Sequence, residues 1–143
     1  MLVKLLPEQV VKVWNEVAIS IEEAHPASMK LTPGAMNRVL RSILIGALEV
    51  WYITDDHGAK VGILTTNFND DLISGTRSLN VYTLWASGGI SRKIWLDGIS
   101  TLFTYAKANN CQKITGFTII PAVVELIKRA GGQAELTYVE LEV

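Results

Sequence analysis

Residues 78–117, SLNVYTLWASGGISRKIWLDGISTLFTYAKANNCQKITGF, read as an apolar strand, a Gly-Gly turn, an amphipathic helix and a short strand. A crossover of this length, filled by a helix, is what joins two parallel strands. It sets the turn Gly88-Gly89 and a helix N-terminus together at the end of a strand. Backbone N–H groups point outward at such a place, and with the helix dipole they favour an anion. Glycine there has two uses, since a strand-to-helix turn that needs positive φ selects it as readily as a phosphate cradle does. In the helix, Ser91 stands as N-cap, Trp95, Ile99, Leu102 and Ala106 line one face, and the pattern fades at Asn109-Asn110. Gly98 interrupts that helix at a cost of about 1 kcal/mol against alanine. Close packing of helix on sheet would explain it.

On the N-terminal side, residues 2–6 form a short apolar strand closed by Pro7, a residue suited to the first turn of a helix. From 8 to 24, Val10, Trp14, Val17 and Ile21 recur at three and four residues, which predicts one amphipathic helix ended by His25-Pro26. Thr32-Pro33 then reads as N-cap and first turn of a second helix, with Met36, Val39 or Leu40, Ile43 and Ala47 on one face. Residues 49–54 and 60–68 have strand composition and are joined by Asp55-Asp56-His57-Gly58, which predicts a hairpin. A polar loop leads to the strand 79–86. After the crossover come a strand at 113–118, a helix at 121–130 stopped by Gly131-Gly132, and a last strand at 135–143. In that last strand Glu140 and Glu142 alternate with Val139, Leu141 and Val143. The order β-α-α-β-β-β-α-β-α-β predicts an α/β (α+β) fold with a mixed central sheet and helices on both faces.

The chain has 143 residues, 49% hydrophobic and 19% charged, which suits a single domain over 1–143. Thirteen basic against fourteen acidic residues leave no positive excess for a long phosphate backbone, so nucleic acid is not an expected partner. Cys111 alone makes no internal disulfide, and His25 and His57 lack ligand spacing, so no metal is expected. Without an apolar signal core or membrane span, the expectation is a soluble, cytoplasmic protein.

The order of elements, at this length, resembles the GNAT superfamily of N-acetyltransferases over nearly the whole chain. That resemblance implies a mixed sheet of six to seven strands flanked by four helices. In the family, a loop Arg/Gln-x-x-Gly-x-Gly/Ala after the fourth strand holds the pyrophosphate of acetyl-CoA on backbone amides. The corresponding turn here is Ala86-Ser87-Gly88-Gly89-Ile90-Ser91-Arg92, which keeps two glycines and lacks the leading Arg/Gln. The resemblance implies pyrophosphate contacts from Gly88, Gly89, Ile90, Ser91 and Arg92, and flanking of the pantetheine by Leu84, Trp85 and Ala86. The segment 125–132, ELIKRAGG, is similar to the family's segment ending Tyr-x-Lys-x-Gly-Phe. The tyrosine that commonly protonates the leaving thiolate falls on Ile127, and an aliphatic side chain donates no proton. One strand follows the last helix where the family usually has two. The chain is also similar, in size and in these departures, to GNAT-like virion proteins of short-tailed bacteriophages.

Other residues carry two readings each. Trp51, Trp85 and Trp95 suit a core better than a ligand cleft. Glu22, Glu23 and His25 are candidates for a base toward an amine, and equally a solvated helix end. Cys111 reads as a small apolar residue at a strand start. Two functions follow. One is an acetyl-CoA-dependent N-acetyltransferase whose acid and base are unassigned. The other is a non-catalytic structural or assembly protein that binds a protein partner, or a second copy of itself through the C-terminal sheet edge.

Overall fold

The structure, a computed structural model, describes residues 1–25, 31–118, 120–136, 139–141 and 143. Among them the elements run β1 (Leu2–Leu5), α1 (Pro7–Lys12), α2 (Trp14–Ala24), α3 (Ala35–Leu44), β2 (Glu49–Thr54), β3 (Lys60–Asp70), β4 (Arg77–Ala86), α4 (Arg92–Ala108), β5 (Lys113–Gly116) and α5 (Pro121–Arg129). The strands form one mixed sheet in the order β1-β2-β3-β4-β5. The first three pairings are antiparallel and β4–β5 is parallel, as the α4 crossover requires.

Five strands stand where six to seven were expected. The missing one is 135–143, where residues 135, 136, 139–141 and 143 lie in no strand and Leu136, Val139 and Leu141 are exposed. Alternation gives that segment two faces, but a strand is made by its hydrogen-bonded neighbour, which sequence alone does not supply. Thr137, Tyr138 and Glu142 of that expected strand lie outside the described residues, as does Pro26 at the expected end of the first helix.

The helices also depart from expectation. The long first helix breaks at Val13, whose φ of -117° and ψ of 21° are not helical, yet Val10 and Val17 on either side are both fully buried. The apolar repeat runs through the break, so it leaves no mark in the pattern. Helix α3 starts later than Thr32-Pro33 suggested, because Gly34 turns the chain at φ 74° and the Thr32 hydroxyl is taken by the Arg38 guanidinium.

Each sheet face carries its own core. Val10, Val17, Ile21 and Ile43 from α1, α2 and α3 cover Val50 and Ile63 on one face. On the other, Leu102 and Ala106 of α4 cover Leu2, Trp51, Ile53, Leu64 and Leu79. The sheet-facing stripe of α4 is Ile94, Leu102, Tyr105 and Ala106, while Trp95 and Ile99 are half-buried beside it. Gly98 does not mark close packing, since a Cβ there would meet nothing within 4 Å.

A polar cluster ties α4 to the sheet. Trp51 Nε1 donates to Thr66 Oγ1 at 2.9 Å, and Thr66 Oγ1 donates to Glu49 Oε2 at 3.1 Å. The other carboxylate oxygen accepts from Tyr105 Oη and, at 2.9 Å, from Lys4 Nζ. Trp51 meets Tyr105 edge-on at 4.8 Å, so this tryptophan is core and lines no cleft.

Candidate functional site

β4 pairs with β5 for only part of its length. Ser78, Leu79, Asn80 and Val81 face Lys113, Ile114, Thr115 and Gly116. Among the described residues that pairing ends at Val81–Gly116, while β4 runs on to Ala86 with β3 alone beside it. The β4 edge from Tyr82 to Ala86, beyond the end of β5, has no strand partner on that side among the described residues and is termed the fork. Thr65 pairs with Thr83 and Thr66 with Val81, so Tyr82 is the extra residue of a β-bulge. Tyr82 is 54% exposed, between half-buried Val81 and Thr83, which is buried at 7%.

The far side of β4 is held rigidly. Thr83 Oγ1 and Thr65 Oγ1 lie 2.6 Å apart in the buried sheet, and Thr83 N–H donates to the same Thr65 oxygen at 3.1 Å. Gly62 is the close approach between β3 and β4, since a Cβ there would sit 2.7 Å from the Trp85 carbonyl oxygen. Trp85 Nε1 donates to Glu23 Oε2 at 2.5 Å, which fastens the end of α2 to β4. Of the helix-end candidates Glu22, Glu23 and His25, the structure thus brings Glu23 to β4. Glu22 lines a shallow cavity of about 280 Å³ with Thr32 and Met36.

At the head of the fork the chain turns into α4. Ser87 N–H donates to the Val61 carbonyl at 3.0 Å and is used up there. Ile94 N–H is capped by Ser91 Oγ at 3.3 Å. Between them, the N–H groups of Gly88, Gly89, Ile90, Ser91 and Arg92 have no acceptor among the described residues. The Ile90 side chain packs on the α4 core and anchors this stretch. Neither glycine has positive φ, which corrects the expectation of a turn selected for that conformation. A Cβ at Gly88 or Gly89 would meet nothing within 4 Å, so packing does not demand glycine either. What they leave is open space in front of unused donors.

The remaining expected residues sort by environment. Leu84 packs into the core under α4, Ala86 is exposed at the strand end, and Arg92 is exposed in the first turn of α4. Lys93 Nζ holds both oxygens of Asp56 at 3.0 and 2.9 Å, joining α4 to the β2–β3 hairpin. That bond lowers the Asp56 pKa and raises that of Lys93. Ile127 is 39% exposed on α5, and Gly131 (φ 86°) with Gly132 closes that helix by N–H bonds back to Lys128 and Ile127. A Cβ at Gly132 would lie 2.5 Å from Ile127, so no phenylalanine fits there without rearrangement. Tyr82 is the residue sequence reasoning passed over: as a strand tyrosine it carries no signal, because the bulge that exposes it depends on register. Among the described residues no group of three metal-ligating side chains occurs, and no helix is long and apolar enough to cross a membrane.

No protein-family model matches the sequence, and no curated protein matches it. Solved structures do resemble it. A predicted acetyltransferase with acetyl-CoA from Clostridium acetobutylicum superimposes with a TM-score of 0.71 and 13% identity, over 99% of this chain and 95% of the other. An aminoglycoside N-acetyltransferase in complex with CoA gives a TM-score of 0.69 and 11% identity, over 100% of this chain and 93% of the other. A ribosomal-protein-alanine N-acetyltransferase from Brucella melitensis gives 0.68 and 13%, over 100% and 99%. Identities this low speak to fold alone, and the chain adopts the mixed α+β fold shared by these acetyltransferase structures.

Proposed function

We propose that the chain binds an acyl-CoA in the fork between β4 and β5 and transfers the acyl group to an amine. The observation that carries this reading is the β4 edge from Tyr82 to Ala86, left by β5 and leading into a turn of five unused N–H donors. On this reading Gly88, Gly89, Ile90, Ser91 and Arg92 hold the diphosphate, and Leu84, Trp85 and Ala86 run beside the pantetheine arm. An extended amide chain pairs with a strand edge as another strand would. The same amide edge supplies a donor to the thioester oxygen, and the rigid β3–β4 pairing fixes its position. Structures of similar fold that contain CoA and acetyl-CoA support the choice of ligand.

The test is thermal. Acetyl-CoA binds the folded state and therefore raises the melting temperature with concentration, whereas inorganic phosphate at equal concentration does so far less. An unchanged melting temperature at millimolar acetyl-CoA contradicts the reading.

A second reading rests on a separate observation. Leu136, Val139 and Leu141 are exposed at 100%, 82% and 88%, and among the described residues β5 has a strand neighbour, β4, on one side only. Strand addition at that edge by a protein partner or a second copy would cover both. Light scattering tests it: a strictly monomeric protein with no co-purifying partner counts against it.

A further inference from the structure

We infer that Asp56 is a positioning residue for the diphosphate: acting through Lys93, it clamps the N-terminus of α4 to the β2–β3 hairpin and so fixes the N–H donors of residues 88–92. The assignment rests on the acyl-CoA reading above. The sequence of α4 conflicts with the field of its own backbone, because a helix N-terminus carries a partial positive charge and favours acids in its first turn. The first turn of α4 has none and begins Arg92-Lys93. The missing acid comes from another element. Lys93 Nζ donates to both oxygens of Asp56, at 3.0 and 2.9 Å, across 37 positions of sequence.

Asp56 stands on a stiff turn. The Asp55 carboxylate accepts the N–H groups of His57 and Ala59, each at 2.9 Å, and Gly58, at φ 78°, closes the turn with an N–H bond to the Asp55 carbonyl at 3.1 Å. The same hairpin grips the other end of the donor stretch, because Ser87 gives both its N–H and its hydroxyl to the Val61 carbonyl, at 3.0 and 3.3 Å. Residues 88–92 are thus tied at both ends to one hairpin, with Ile90 packed into the core between the ties. Fixed ends limit the arrangements open to the donors, so binding an anion costs less ordering. With Nζ committed to Asp56, Lys93 serves the site through the backbone it holds rather than by reaching the ligand.

The experiment measures CoA binding by calorimetry in wild type, Asp56→Asn, Lys93→Gln and the double variant, since the two single changes shift net charge in opposite directions. Both singles weaken CoA by about threefold, the factor that an exposed ion pair contributes. The double variant, with the net charge of wild type, binds no more weakly than the weaker single, because the second change removes nothing further. Melting temperatures without ligand stay near wild type in all three, which separates positioning from loss of fold. Tighter binding in Asp56→Asn with weaker binding in Lys93→Gln means that Lys93 meets the phosphates directly, and it overturns the assignment. Losses that multiply in the double variant, losses that track a falling melting temperature, or unchanged affinities overturn it as well, and in each case the acyl-CoA reading stands. If CoA does not bind wild type, that reading itself fails and takes the assignment with it.

Discussion

Val81 and Gly116 are the last residues at which β4 and β5 run side by side, and the next residue, Tyr82, is pushed out of the β3 ladder as a bulge. Both events occur at one level of the sheet. Gly116 lets the strands come close there: a Cβ on it would lie 3.3 Å from the Val81 carbonyl oxygen. Above that level β4 keeps its pairing with β3, while no strand among the described residues pairs with its other edge.

Gly88→Asp separates binding from folding. The position has ordinary φ and open space, so stability changes by no more than about 0.5 kcal/mol. A carboxylate set among the N–H donors repels a diphosphate, and acetyl-CoA affinity measured by calorimetry drops at least about tenfold.

Gly62→Ala does the reverse. The new methyl meets the Trp85 carbonyl oxygen at 2.7 Å and Ile53 Cδ1 at 3.0 Å. Overpacking between two central strands costs about 1–3 kcal/mol in a denaturant titration. It also moves Trp85, so acetyl-CoA affinity falls with stability.

Gly98→Ala stabilises. Nothing lies within 4 Å of the added methyl, and its φ is not positive. Replacing a helical glycine with alanine adds about 1 kcal/mol, read as a rise in melting temperature.

The Tyr105 cluster makes the fold alkali-sensitive. Burial raises the Tyr105 pKa above 10.0, and its hydrogen bond to Glu49 adds to this while Lys4 opposes it. For Lys4, burial lowers the value, but the bonds to Tyr105 and Glu49 outweigh it and the result lies above 10.5. Both groups are held in their protonated forms by the fold. Their contribution is whole below pH 10 and lost as pH rises through the folded values. Denaturation midpoints fall above pH 10 in wild type, and less steeply in Tyr105→Phe.

Sequence reading reached the elements whose signals are local. Periodicity marked Val10, Val17 and Ile21 as core, Asp55 to Gly58 marked the hairpin, and Ser91 marked the start of α4. The turn Gly88-Gly89 was found by position, but neither φ nor packing demands glycine at either residue. Features set by pairing were not legible. The end of β5 at Gly116, the bulge at Tyr82 and the lack of a strand at the described residues of 135–143 depend on which backbone lies alongside, and side-chain alternation is blind to that. The indole bond of Trp85 to Glu23 joins residues 62 apart in sequence, so composition gave no hint of it.

Amide chemical shifts during titration with acetyl-CoA test the fork as a ligand site most directly. The account predicts that the perturbed resonances gather on residues 82–92, along the β4 edge and around the glycine turn, with β1 and the Glu49 cluster unmoved. Shifts gathered at the α2–α3 cavity instead, or none at saturating ligand, contradict it.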